Sequence, residues 1–145
     1  MTETQAPPSK QDLERFRRNL RDEVDGEALY RALAGAERDP YLRLVYERLA
    51  DTERRHRELW ERKLREAGVE VPEYRPSWKV RALGWLARRF GTSVVAPIVA
   101  ELEVDAYRMY DDQPEAVAEG LPIDERSHAR IFRELARSGL PRRGS

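Results

Sequence analysis

The chain has only two histidines, His56 and His128, and each follows a glutamate by three residues, in Glu53-Arg-Arg-His56 and Glu125-Arg-Ser-His128. That offset puts both side chains of a pair on one face of a helix. In both places the face is otherwise apolar. Around the first pair the stripe reads Leu42, Val45, Leu49, Glu53, His56, Leu59 or Trp60, and Leu64. The second pair leads into Ile131, Phe132 and Leu135. Polar residues on the inward stripe of an amphipathic helix are buried by folding. A buried carboxylate without compensation costs several kcal/mol, so any fold that accepts this sequence has to neutralise the pairs.

Either pair alone reads more readily as a solvated pair on a charged helix. A repeat joins them. Glu23-Val-Asp25 is followed by Tyr30, and Glu103-Val-Asp105 by Tyr110 at the same offset. Trp60 and Phe132 hold matching positions after the two histidines. The chain is thus built twice from E-V-D-x-x-x-x-Y on one helix and E-x-x-H-x-x-x-aromatic on the next. Arg54, Arg55, Arg57, Arg126 and Arg130 fall mostly off the inward stripes, so arginine is a poor neutralising partner. Four glutamates and two histidines meeting at mid-bundle require cations, because like charges at such range repel. Two divalent metals, each with one imidazole and a share of carboxylates, suit iron or manganese better than structural zinc. The spacing leaves Glu27 open as an extra ligand and Glu101 as an alternative to Glu103. Tyr30 and Tyr110 read as core aromatics whose hydroxyls reach carboxylates.

Gly and Pro punctuation sets the architecture. Residues 1–9 read as a disordered lead, and Ser9 with Asp12 forms a capping box for a helix over 10–38. Asp39-Pro40 stops that helix and starts a second, which ends at Gly68. A Pro-broken loop over 69–76 precedes a short helix from Ser77 to Phe90. Another helix begins near Thr92 or Ser93 and weakens at Pro114; the last opens at Gly120-Leu121-Pro122 and ends at Gly139. Two hairpins joined by a long crossover containing a short helix predict an all-α, ferritin-like four-helix bundle over 10–139, with 140–145 as a tail or linker. With 37% charged residues and a mean hydropathy of −0.81, the composition fits solvated helices of a soluble intracellular domain. The absence of cysteine excludes disulfides, thiol nucleophiles and cysteine-bound iron. Balanced charge, 27 basic against 27 acidic residues, speaks against nucleic acid as a partner.

The Glu, E-x-x-H, Glu, E-x-x-H order resembles the ferritin-like di-iron superfamily. More narrowly, DEVDGEALYRALAGAERDP, LADTERRHRELWERKL, PSWKVRALGWLARRFG and LPIDERSHARIFREL resemble the rubrerythrin-like (erythrin) cytoplasmic domain of membrane-bound ferritins, which is fused to a vacuolar-iron-transporter-type membrane domain. The similarity covers about residues 12–138. It implies Glu23, Glu53, His56, Glu103, Glu125 and His128 as ligands of two Fe ions per chain, with Mn or Zn as substitutes. It further implies Fe(II) and oxygen or peroxide as reactants, a homodimer, and a cytoplasmic location, as the cytosolic domain of an inner-membrane protein attached to or neighbouring a transporter. The chain departs from true rubrerythrins in lacking the cysteines that bind their electron-feeding iron, and from the fused family in stopping at Pro141-Arg-Arg-Gly-Ser without transmembrane helices. Two functions follow. The site is a ferroxidase, or it is an iron-binding or iron-sensing module that passes iron to a transporter.

Two surface expectations complete the reading. No Asp or Glu occurs between Glu73 and Glu101, where Arg75, Lys79, Arg81, Arg88 and Arg89 alternate with Trp78 and Trp85. That composition suits a membrane surface, although a crossover helix that covers the bundle with its tryptophans in grooves is the plainer expectation. Val24, Ala28, Leu33 and Ala36, with Tyr46 and Leu59 or Trp60, fall outside the inward stripes of the first hairpin and are the contacts expected for the homodimer. A 24-subunit shell is not expected, since no fifth helix follows Gly139.

Overall fold

The computed structural model describes residues 6–138. Its helices are α1 (Lys10–Ala36), α2 (Pro40–Glu66), α3 (Trp78–Phe90), α4 (Ala96–Asp111), α5 (Pro114–Ala118) and α6 (Leu121–Ser138), with one 3-10 turn at Thr92–Val94. No strand occurs among the described residues. The long pair α1 and α2, each about 40 Å at 1.5 Å per residue, packs side by side, and α4 packs along α6. The protein is an all-α, ferritin-like bundle of two hairpins joined by a crossover.

Local chemistry sets the boundaries. Ser9 and Asp12 form the capping box of α1, the Asp12 N–H donating to Ser9 Oγ at 3.1 Å and the Ser9 N–H to Asp12 Oδ2 at 2.9 Å. The helix ends at Ala36, two residues before the expected limit. Glu37 turns extended there, and its carboxylate accepts the N–H groups of Arg38 and Asp39. Asp39 then caps α2 by accepting the Tyr41 N–H, with Pro40 opening the helix. Gly68, at φ +78°, ends it. The helix α5 is absent from the sequence expectation: Pro114 does not merely weaken the preceding helix but begins a short one of its own. The end of the last helix at Gly139 and the tail 140–145 lie outside the described residues, as does most of the lead.

The crossover covers more than it spans. α3 lies on α1 and buries Val80, Leu83, Gly84 and Ala87. A Cβ at Gly84 would stand 3.2 Å from the Ala32 Cβ, so glycine is what lets the two helices approach so closely. The tryptophans do not fill grooves: Trp78 is 68% exposed and Trp85 54%. The expected dimer contacts change too. Leu33, Tyr46, Leu59 and Trp60 are all buried within the chain. Leu33 and Tyr46 share a cluster with Val80 and Leu83 of α3, while Leu59 and Trp60 share one that Val69, Val71 and Tyr74 of the loop pack against. These two apolar clusters occupy the two ends of the bundle, and the charged residues lie between them.

Candidate metal centre

Glu23 on α1, Glu53 and His56 on α2, Glu103 on α4, and Glu125 and His128 on α6 are all buried, at 2–6% exposure. The structure therefore brings together all six residues singled out in the sequence. They form two sets, Glu23, Glu53, His56 and Glu125 in one and Glu53, Glu103, Glu125 and His128 in the other. Within each set, one potential ligand atom per residue lies within 4.8 Å of every other. Glu53 and Glu125 belong to both, so the sets meet at two shared carboxylates.

The two halves mirror one another as the repeat implies. His56 Nδ1 is 3.1 Å from Glu125 Oε1 and 3.4 Å from Glu23 Oε2. His128 Nδ1 is 3.1 Å from Glu53 Oε1 and 3.6 Å from Glu103 Oε2. The tyrosines cross over: Tyr110 on α4 donates to Glu23 Oε1 at 2.6 Å, and Tyr30 on α1 donates to Glu103 Oε1. Each ring also caps an aromatic ladder. Tyr30 and Tyr46 stack on Phe132, with centroids 5.6 and 5.9 Å away, and Tyr110 and Phe16 stack on Trp60, at 6.0 and 5.4 Å. All of these rings are buried.

The donor atoms fit a metal pair. Glu23 Oε2, Glu53 Oε1, His56 Nδ1, Glu103 Oε2, Glu125 Oε1 and His128 Nδ1 are buried and make no hydrogen bond. Buried polar atoms without partners are rare and costly, and here all six converge on one point. Oxygen-rich sets with one imidazole each are the donors that iron and manganese prefer. Asp124, which the sequence reading missed, accepts a hydrogen bond from His56 Nε2 at 2.7 Å. That bond orients the ring so that Nδ1 faces the carboxylates, a common arrangement behind metal-binding imidazoles. The repeat could not disclose it, because the equivalent residue in the other half is Thr52, whose hydroxyl donates to the Arg48 carbonyl instead. The two open candidates are placed elsewhere. Glu27 is held by Arg57 at 2.6 Å, and Glu101 is exposed.

Without cations the cluster relies on protons. Burial, then the charges of Glu23 and Glu125, pushes the Glu53 carboxyl well above the usual carboxylate range. Burial, then Glu103, does the same to Glu125. Burial acts on Glu103 in that direction too, but the neighbouring Glu125 and His128 and the hydrogen bond from Tyr30 outweigh it and hold Glu103 low. Burial opposes protonation of His56, yet Glu23, Asp124 and Glu125 together push it up to about 12.

A cleft of about 290 Å³ between α1, α3 and α4 reaches Glu23, Glu53, Glu103 and Glu125. Its walls are mainly apolar, from Leu29, Val80, Leu83, Val99, Leu102 and Met109, and Asp22, Asp25, Asp105 and Lys79 also line it. The N–H of Ser77 donates to Asp25 Oδ1 at 2.8 Å and so pins the start of α3 over the cleft.

A helical bundle whose four long helices carry buried glutamates and E-x-x-H pairs around one point defines the ferritin-like class of carboxylate metal proteins. The comparison with known families narrows this. The rubrerythrin family model matches residues 14–136, and the chain belongs to that family. It is also similar to a 3-demethoxyubiquinol 3-hydroxylase of Variovorax paradoxus (strain S110), with 32% identity covering 94% of this chain and 74% of that protein. No solved structure matches the chain.

Proposed function

We propose that the site holds two iron ions and oxidises Fe(II), with Glu53 and Glu125 shared, Glu23 and His56 completing one position, and Glu103 and His128 the other. The observation that carries this is the convergence of six unpartnered buried donor atoms in two sets that share two carboxylates. As substrates, two ferrous ions surrender two electrons to dioxygen, which leaves with two protons as hydrogen peroxide, or to peroxide, which leaves with two protons as two waters. The residues of the chain prepare that reaction. Tyr30 and Tyr110 orient Glu103 and Glu23, and Asp124 orients His56. Asp22, Asp25 and Asp105 line the cleft through which a cation reaches the carboxylates. The chain has no cysteine to bind an electron-donating iron, which favours iron itself as the reductant. The transport reading, in which oxidised or bound iron passes to a membrane domain attached to or neighbouring this one, rests on the sequence resemblance.

Aerobic Fe(II) oxidation followed optically tests the proposal. Rapid oxidation that Glu53→Ala abolishes supports it. Tight Fe(II) binding with only background oxidation instead supports a module that binds and delivers iron. The mainly apolar cleft favours a second reading, in which an organic substrate such as a quinol is hydroxylated, as the name of the Variovorax protein says of that enzyme. A product heavier by one oxygen atom, formed with a quinol and an external reductant, would establish that reading.

A further inference from the structure

The basic segment excluded from the metal chemistry has a shape of its own. α3 turns Val80, Leu83, Gly84 and Ala87 inward and leaves Trp78, Ala82, Trp85, Arg88, Arg89 and Phe90 outward. The Trp85 and Phe90 rings meet edge to face, with centroids 6.1 Å apart, and the Arg89 guanidinium lies 5.2 Å from the Phe90 ring centre. Beyond the 3-10 turn, Val94 and Ile98 are also about half exposed. Large apolar side chains exposed together on one face of a helix are unusual on a soluble domain. Here that face lies within the island of five basic residues and no acidic one, bounded by Glu73 and Glu101.

We propose that the outward face of α3, with Trp78, Trp85 and Phe90 ringed by Arg75, Lys79, Arg81, Arg88 and Arg89, docks on an anionic lipid bilayer surface. Charge complementarity selects this occupant. Two copies of the face brought together across a two-fold axis would set five cations against five. A bilayer with acidic headgroups supplies the opposite charge and a boundary where indole rings settle. A helix of 13 residues with aromatic and basic side chains on one side lies in the plane of that boundary, its apolar groups sunk among the headgroups. None of this depends on what the metal centre does.

Vesicle partitioning of the full chain decides the matter, using phosphatidylcholine vesicles with and without about one-third phosphatidylglycerol. Trp60 is fully buried, so a shift of tryptophan emission to shorter wavelength reports Trp78 and Trp85. The expected result is co-sedimentation with the acidic vesicles and a blue shift, both weakening steeply between low and high salt. Arg88→Glu with Arg89→Glu removes two attractive charges and adds two repulsive ones, lowering the partition coefficient about 100-fold or more. Trp78→Ala with Trp85→Ala also releases the protein, and because both side chains are exposed, circular dichroism of that variant matches wild type. No binding to acidic vesicles, or equal binding to neutral ones, overturns the proposal. So does binding that survives both double variants. Dimerisation lost in Trp78→Ala with Trp85→Ala would make a second copy the occupant. Binding to polyglutamate as tightly as to vesicles, unchanged by the tryptophan variant, would make it an acidic protein.

Discussion

Gly26→Ala separates what the carboxylate cluster needs as a protein core from what it needs as a ligand set. Gly26 lies inside α1, and a Cβ there would stand 3.0 Å from Glu53 Oε2 and 3.3 Å from Glu53 Cδ. Replacing glycine by alanine in a helix interior is worth about 1 kcal/mol. In the metal-free protein the Glu53 carboxylate is the far end of a flexible side chain and can swing aside. Most of that gain should therefore appear, as a rise of about 3–5 °C in Tm for a domain of this size. Relief to an ordinary contact takes a displacement of about 0.4 Å. Metal–ligand distances tolerate about 0.2 Å. Because Glu53 belongs to both ligand sets, both positions are disturbed, and affinity should fall about 10- to 100-fold, as for other changes around metal ligands. Anaerobic calorimetric titration with Fe(II), beside thermal unfolding of the apo-protein, measures both effects. Gly35→Ala is the control, since a Cβ there meets nothing within 4 Å; it should stabilise slightly and leave metal binding alone. Gly26→Ala binding Fe(II) as tightly as Gly35→Ala would show that Glu53 does not hold metal from its observed position.

Other substitutions divide the site further. His56→Ala and His128→Ala should each lose about one of two metals per chain by elemental analysis, and a variant keeping both would refute its ligand assignment. Asp124→Asn should weaken one metal position about 10- to 100-fold and spare the other, because only His56 is braced by that carboxylate; equal weakening of both would show that Asp124 acts through fold stability. Tyr110→Phe strands Glu23 Oε1 in a buried setting and should cost the apo-protein about 1–3 kcal/mol by denaturant unfolding. No loss there would mean that Glu23 has another partner.

The six convergent residues were legible because each breaks a pattern. Glu53, His56, Glu125 and His128 interrupt apolar stripes, and the E-V-D repeat identifies Glu23 and Glu103 by analogy between halves. What the repeat does not contain stayed hidden. Asp124 is specific to one half. The buried amides of Asn19 and Gln113, bonded at 2.6 Å, join α1 to the start of α5, a contact without sequence periodicity. Faces were harder than helices. A helical stripe identifies one buried side, but α1 has two, since α3 lies across the side that faces outward in a bare four-helix bundle. Leu33 therefore reads as surface and is core. The same layer explains Trp78 and Trp85: α3 needs only its small and aliphatic residues to cover α1, so its aromatics are left outside.

Metal and protons compete for the same atoms, and this fixes the sign of the pH dependence. Glu53 and Glu125 have carboxyls raised in the fold, so the folded apo-protein binds more protons than the unfolded chain once pH rises above about 4.5. Their contribution is full below that value and is lost as pH climbs. His56, raised from 6.5 to about 12, adds a contribution that is full below 6.5 and fades above it. Glu103 and Asp124 are lowered, Glu103 against burial by its neighbours Glu125, His128 and Tyr30 and Asp124 by the His56 hydrogen bond, and they contribute in the opposite sense, losing their share as pH falls through the ordinary carboxylate range and below. The apo-protein should therefore melt higher at pH 5 than at pH 8. Metal ions need these ligands unprotonated, so affinity rises over the same interval. The difference in Tm between loaded and apo forms should then widen steadily from pH 5 to pH 8, measured by scanning calorimetry in matched buffers. An apo-protein that melts higher at pH 8 would mean that Glu53, Glu125 and His56 do not hold protons in the fold as described. A gap independent of pH would mean that metal binds away from His56 and His128.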